Sequence, residues 1–347
     1  MRRILIIRPS AIGDVVMASS MLPALRRAYP DGYIAWLVDS PLEDLLKHNP
    51  LLDEIISWPK SYWRTLLRRG CLGSLVKEGY RFIKKLKGYH FDLAIDAQGL
   101  FRSRLFAWFS GAGQRIGLES REPGSLLMTR IVSRNHDIHL IASEYRSLLK
   151  SLGLSVDGLQ MQLVLGEADK SSVRKIRKEL GINSRYAVLC PFTTRDQKKW
   201  LPERWARLAE VTRSCFELDI VLLGGRRDRQ EGHAIISESK IKIHSLVGNM
   251  SVAESGAIVC DASLVIGVDT GLTHMGIAFN RPTVALFGAT CPYLVTGRDN
   301  AVVIYHPRPC SPCRRRPTCN GDYECMRTIT VEEVAEAVGT VLGGYQG

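Results

Sequence analysis

Asp269-Thr-Gly-Leu-Thr-His274 places a carboxylate, two hydroxyls, an imidazole and a glycine within one short stretch. The apolar run Leu264–Val268 before it reads as a buried parallel strand, and a helical apolar pattern begins directly after it. A strand that turns tightly into a helix leaves the first helical N–H groups unpaired at the positive end of the helix dipole. An anion such as phosphate is well held there. Gly271 lets the backbone approach, and Thr270, Thr273 and His274 add side-chain donors. The same residues also suit a plainer role, with Asp269 as helix cap and His274 bonded within the helix.

Three further segments fit the same chemistry. Arg8-Pro-Ser-Ala-Ile-Gly-Asp-Val15 follows the first apolar strand, and ligands of open parallel sheets bind where such strands end. Gly13 permits close approach there, and Asp14 opens a helix, where it either takes a proton from an alcohol or merely caps. Thr193, Thr194 and Lys198 precede a helix starting near Pro202 and offer hydroxyl and ammonium donors to a diphosphate, or form an ordinary surface loop. The glycine turn Leu223-Gly-Gly-Arg-Arg-Asp228 ends in a carboxylate suited to ribose hydroxyls.

The elements that must position these groups alternate strand and helix. Strands are predicted at Arg3–Ile7, Tyr33–Val38, Phe91–Ile95, Tyr186–Cys190, Asp219–Leu223, Leu264–Val268 and Thr283–Phe287. Helical patterns fall at Asp14–Tyr29, Pro41–His48, Leu75–Leu86, Pro202–Phe216, Arg229–Glu238, Ser251–Cys260, Thr273–Phe279 and Thr330–Leu342, the last opened by a Thr330/Glu333 capping box. This is an α/β chain of two doubly wound, Rossmann-like domains, residues 1–165 and 166–328, linked by the polar stretch Ser155–Lys170. The helix in 329–347 is expected to pack back on the N-terminal domain. Neither half has Gly-x-Gly-x-x-Gly after its first strand, and no Walker-type run occurs, which argues against nicotinamide and P-loop chemistry.

A chain of 347 residues with 45% hydrophobic and 24% charged residues can bury two cores. No apolar stretch reaches membrane-span length, and Ile4–Ile7 is too short for a signal-peptide core, so a cytoplasmic location is expected. The net charge of +12 is concentrated between Pro59 and His90, where Lys77, Arg81, Lys84 and Lys85 share a helix with an apolar face of Val76, Tyr80 and Ile83. Trp58, Tyr62 and Trp63 lie just upstream. Such a helix rests on an anionic membrane or is a solvated face over a core. Nucleic-acid binding is compatible with the charge, yet no recognisable module for it is present, so no nucleic-acid partner is expected. Of nine cysteines, Cys71, Cys190, Cys215, Cys260 and Cys291 are scattered, while Cys310, Cys313, Cys319 and Cys325 cluster in a zinc-like order whose spacings match no standard ligand pattern, so that no metal is expected and reduced thiols or a local redox pair stand beside a structural zinc as readings.

Taken together, the segments from Ile4 to Asp14, Thr193 to Lys198 and Val268 to His274 resemble the ADP-heptose:lipopolysaccharide heptosyltransferases, glycosyltransferase family 9. Ile95-Asp-Ala-Gln-Gly-Leu-Phe-Arg-Ser103 and Arg121-Glu-Pro123 look most like the heptosyltransferase I branch, which acts on the inner Kdo of Kdo2-lipid A. The resemblance implies a GT-B fold, two Rossmann-like domains facing across a cleft. It implies inverting, metal-independent transfer with no cofactor, ADP-heptose as donor and a peripheral position on the inner face of the cytoplasmic membrane. Asp14 would be the general base. Thr193, Thr194, Lys198, Asp228, Asp269, Thr270, Gly271 and His274 would hold the donor, and Gly13, Arg64, Arg68, Gln98 and Arg121 the acceptor. Arg227 stands where the resemblance suggests a Glu, which leaves ribose contact by Asp228 open. Heptosyltransferase II or another family 9 sugar transferase, and a membrane-surface scaffold with the same fold, are the alternatives.

Overall fold

The computed structural model describes residues 1–134, 139–182, 184–290, 292–313 and 316–343; Cys291 lies outside the described residues. They form two compact units, residues 1–134 with 142–164, and 165–343 with 139–141. Residues 155–166 carry no helix or strand.

The first unit runs β1 (Arg3–Ile7), α1 (Ile12–Ala18), α2 (Met21–Ala28), β2 (Tyr33–Asp39), β3 (Glu54–Trp58), α3 (Lys60–Arg68), α4 (Leu72–Gly88), β4 (Leu93–Asp96), α5 (Phe101–Phe109), β5 (Gln114–Leu118), β6 (Arg130–Val132) and α6 (Ser143–Ser151). The second runs α7 (Glu167–Leu180), β7 (Tyr186–Cys190), α8 (Pro202–Phe216), β8 (Asp219–Leu222), α9 (Arg229–Glu238), β9 (Ile243–Ser245), α10 (Val252–Asp261), β10 (Leu264–Val268), α11 (Gly271–Ala278), β11 (Thr283–Phe287), β12 (Ala301–Tyr305), α12 (Glu324–Arg327) and α13 (Val331–Val341). Each unit builds one six-stranded sheet, ordered β3-β2-β1-β4-β5-β6 and β12-β11-β10-β7-β8-β9. Adjacent strands pair in parallel in both. Counted from each unit's own first strand, the two orders are the same doubly wound Rossmann pattern. Strand order therefore reverses between β1 and β4 and between β7 and β10, where such sheets open a crevice.

β7, β10 and β11 are buried along their whole length, as their unbroken apolar sequences require. Gly267 sits at the middle of this layer for a steric reason. A Cβ there would come within 2.8 Å of Cys190 Cβ and would strike Thr273 Oγ1, so α11 packs this closely only over glycine.

Several expectations are corrected. The single helix predicted over Asp14–Tyr29 is two, because Ser19 and Ser20 turn their hydroxyls back onto Val16 O and Met17 O at 2.6 and 2.8 Å and Pro23 follows. Pro41–His48 is a 3-10 turn over Ser40–Leu45. In helix α13, Val331, Val334, Val338 and Val341 are buried with residues of α8, β11 and β12 of the second unit. Its capping box is half formed. Thr330 Oγ1 accepts from Glu333 N at 3.2 Å, but the Glu333 carboxylate accepts instead from His306 Nε2 at 2.8 Å.

The basic helix is also turned differently. Leu86 is buried and Leu75, Phe82 and Ile83 are partly so, while Leu72, Val76 and Tyr80 stand outward at 58, 71 and 67% exposure. Trp58 is buried in an edge-on contact with Trp63, ring centres 6.2 Å apart, which leaves Tyr62 as the exposed aromatic of that trio. The second unit has its own indole pair, Trp200 and Trp205, edge-on at 5.0 Å. Among the described residues no helix is long and apolar enough to cross a membrane.

Candidate active site

In the first unit the chain leaves β1 through Arg8 and enters α1, whose third residue is Asp14. One carboxylate oxygen, Oδ2, pairs with the Arg8 guanidinium at 2.5 Å and accepts from the Ala11 N–H at 3.1 Å. The side chain is 37% exposed, and no described bond uses Oδ1. Asp14 thus does cap its helix, and one oxygen remains open. Arg8 is buried, donates to Ala97 O at 2.6 Å and lies 5.8 Å from the centre of the Tyr145 ring. Burial works against its charge, but Tyr145, Asp14 and Glu144 outweigh it and raise its pKa, so Arg8 remains a cation. Burial pushes the Tyr145 phenol well up; it stays protonated and donates to Asp14 O at 3.3 Å.

Across the strand reversal, β4 ends in Asp96, whose Oδ1 accepts from the N–H groups of Gln98 and Gly99, both at 3.0 Å. That loop presents Gln98, whose Nε2 donates to Ser10 O at 3.0 Å and ties it to the Asp14 loop; its own Oε1 is buried without a partner. Arg134 locks the loop from behind, donating to Gln98 O at 2.9 Å and pairing with Glu144 at 2.5 Å. Gly13 is half-buried beside Asp14. Arg64, Arg68 and Arg121 are exposed, and no described bond joins them to Asp14. Arg102, unremarked in the sequence reading, stacks 4.8 Å from the centre of the Trp58 ring. Burial lowers its pKa, the carboxylates of Asp39 and Glu122 oppose that shift, and the nearby charge of Arg64 adds to it.

In the second unit three strand ends converge. Lys198 closes a 3-10 turn after β7 and pairs with Asp269 Oδ2 after β10. The other carboxylate oxygen meets His274 Nε2 at 3.2 Å, and Thr290, beyond β11, donates to Oδ2 at 2.7 Å. Tyr293 OH closes the set on His274 Nδ1. Because Nε2 faces a carboxylate, it is the donor, and Nδ1 accepts from the phenol. Burial alone would raise the Asp269 pKa; His274 and Lys198 overcome it and hold the carboxyl well below the usual carboxylate range. Burial and the Asp269 charge keep Tyr293 protonated.

These bonds decide between the sequence-level alternatives. Asp269 is not the helix cap, because Thr270 occupies that position and makes no side-chain capping bond. Thr273 is unavailable as a ligand donor, since its hydroxyl is spent on Val268 O at 2.7 Å. Both His274 nitrogens are engaged, which makes His274 a brace. The hydroxyls of Thr193, Thr194 and Thr270 make no described bond, and the first N–H groups of α11 have no side-chain cap from Thr270. Asp228 Oδ2 accepts from Gly225 N at 2.7 Å, capping its turn. Thr290 and Tyr293 were missed; the signal available was their place just beyond the apolar strand Thr283–Phe287.

Comparison with known proteins agrees with this architecture. The profile of glycosyltransferase family 9 (heptosyltransferase) matches residues 79–324. Lipopolysaccharide heptosyltransferase 1 of Pseudomonas aeruginosa is 27% identical over 325 residues, 91% of this chain and 87% of that protein. Lipopolysaccharide heptosyltransferase 2 of Salmonella typhimurium is 25% identical over 361 residues, covering 98% of each. The structure of Escherichia coli heptosyltransferase WaaC with ADP-2-deoxy-2-fluoro heptose superposes with a TM-score of 0.71 at 24% identity, over 96% of this chain and 98% of that one. Two doubly wound sheets, with polar groups gathered at the strand reversal of each, and a family match over most of the length make this chain a member of glycosyltransferase family 9, the heptosyltransferases.

Proposed function

We propose that the chain transfers heptose from ADP-heptose to the inner Kdo of Kdo2-lipid A by a single inverting displacement. The observation that carries the reading is the half-open Asp14 carboxylate. Arg8 and the Ala11 N–H fix Oδ2, leaving Oδ1 to accept the proton of an acceptor hydroxyl as that hydroxyl attacks the anomeric carbon. On the donor side, Thr193, Thr194 and Thr270 with the α11 N-terminus at Gly271 suit the diphosphate, Lys198 adds positive charge against the departing ADP, and Asp228 Oδ1 is the group for ribose. Asp269 and His274 hold Lys198 and the loop in place. The chemistry asks for no metal. Gln98, Gly13 and the cations Arg64, Arg68, Arg102 and Arg121 suit the anionic groups of the acceptor.

Relatives named heptosyltransferase 1 and heptosyltransferase 2 match at similar identity, and the stretches Ile95–Ser103 and Arg121–Pro123 favour the first. Helix α4 supports a peripheral membrane position: its outward apolar stripe Leu72, Val76 and Tyr80 runs between Lys77, Arg81, Lys84 and Lys85, the pattern of a helix lying in an anionic interface. The deciding experiment incubates the protein and ADP-heptose with Kdo2-lipid A and, separately, with its monoheptosyl product, and reads added heptose by mass spectrometry. Gain on Kdo2-lipid A supports the reading. Gain only on the monoheptosyl acceptor moves the chain to the second transfer, and gain on neither rejects both.

A further inference from the structure

The loop that carries Asp14 is held through its neighbour. Gln98 Nε2 donates to Ser10 O at 3.0 Å, one residue before Ala11, whose N–H fixes Asp14 Oδ2. Gln98 is in turn placed by its own backbone: its N–H and that of Gly99 bond Asp96 Oδ1, and its carbonyl accepts from Arg134 Nη2 at 2.9 Å. Arg134 spends two further donors on two further elements. Nε bonds Glu119 O at 2.7 Å, just past β5, and Nη1 pairs with Glu144 Oε2 at 2.5 Å in the first turn of α6. A planar guanidinium fork serves three directions at once, which the point charge of a lysine cannot. The fork sits directly against the loop. Gly99 has a φ of +75°, and a Cβ there would stand 3.0 Å from Arg134 Nη2 and 2.9 Å from Leu118 O, so only glycine leaves the room. The residue beside Glu144 meets the same loop separately, since Tyr145 donates to Asp14 O at 3.3 Å.

We propose that Arg134, held by Glu144, is a positioning residue for Asp14: through Gln98 and Ser10 it sets the direction in which the free Oδ1 points. The inference rests on the reading of Asp14 as the base. Arg134 makes no described bond to Asp14 and acts through the loop alone. Its loss leaves the base present and misdirected, and a displacement of about 1 Å at a reacting group costs on the order of 10²-fold in rate.

The test compares Arg134→Gln and Glu144→Gln with Arg130→Gln, which removes a cation bonded to Ser151 O at the last residue of α6. Heptose transfer is measured for each variant alone and combined with Asp14→Asn, and hydrogen exchange is followed in peptides spanning Arg8–Val15. Arg134→Gln should lower kcat about 10–100-fold at an unchanged KM for ADP-heptose, Glu144→Gln less so, and Arg130→Gln not at all. In the Asp14→Asn background Arg134→Gln should add little, because an absent base cannot be misdirected, whereas an unrelated structural loss would multiply. Exchange in Arg8–Val15 should quicken in Arg134→Gln and stay parental in Arg130→Gln. The proposal is overturned if Arg130→Gln slows transfer as much as Arg134→Gln, or if the two losses multiply. Unchanged exchange in Arg134→Gln overturns it whether or not transfer is observed. Near-parental kcat in Asp14→Asn removes the base reading and this inference with it, while a large loss there beside parental kcat in Arg134→Gln removes this inference alone.

Discussion

Each unit places an ion pair of one carboxylate and one cation at its strand reversal, yet the two pairs are built for opposite ends. Asp14 keeps an open oxygen at 37% exposure, whereas Asp269, at 15%, is saturated by Lys198, His274 and Thr290. A carboxylate with a free oxygen and access to solvent can exchange a proton; one held by donors on both oxygens, one of them a cation, stays charged and anchors the groups around it. The same topology thus yields a half-open carboxylate and one bonded through both oxygens, and the difference lies in partner count.

Substitutions that equalise the two carboxylates test this contrast. The largest effect is expected for Asp14→Asn, which keeps the shape and Arg8 contact but removes the proton acceptor: kcat should fall by about 10²–10⁴-fold with ADP affinity unchanged. A variant with near-parental kcat would take the base role away from Asp14. Asp269→Asn should act on binding and stability together, because Lys198, His274 and Thr290 lose a charged partner at once; about 1–3 kcal/mol of stability should go, with weaker ADP binding by calorimetry. Its pH dependence has a definite sign. The folded-state pKa of Asp269 lies below its ordinary value of 3.8, so its stabilisation is complete above that pH and fades as pH falls toward the lower folded value. Parent and variant should therefore converge in thermal midpoint only in strong acid. Convergence already at mildly acidic pH would show that the carboxylate is not charge-stabilised.

A smaller effect is expected for Tyr293→Phe, which strips the donor from His274 Nδ1 and should cost about 0.5–1.5 kcal/mol, with a modest loss of ADP affinity and no change in the acceptor's KM. An unchanged midpoint and ADP affinity would mean that His274 is held by Asp269 alone. The smallest effect on chemistry belongs to α4. Reversing Lys77, Arg81, Lys84 and Lys85 to glutamate, or replacing Val76 and Tyr80 by serine, should reduce binding to anionic vesicles while leaving turnover of a short soluble acceptor intact. Vesicle binding equal to the parent's in both variants would reduce the helix to a solvated face.

The strands at the centre of each sheet were legible because burial on both faces demands unbroken apolar runs, as in Tyr186–Cys190 and Leu264–Val268. β5, with Gln114 exposed and Arg115 half-buried, and the short β6 and β9 lie toward or at the sheet edges and lack that signal. The strand-end loops could be found for the same reason the strands could. The partner sets inside them could not. Tyr145 reaches Asp14 from over a hundred residues away, and Tyr293 meets His274 only because β10 and β11 pair side by side. The orientation of α4 was unreadable as well, since Val76, Tyr80 and Ile83 share a helical spacing yet only Ile83 turns partly inward.

The edge-on indole pairs Trp58–Trp63 and Trp200–Trp205 give each unit its own optical reporter. Indoles fixed in one asymmetric packing give near-ultraviolet circular dichroism bands, which vanish when that packing is lost. Disrupting one pair with Trp63→Phe leaves the signal of the other. The melting of each unit can then be followed in the intact chain without a label.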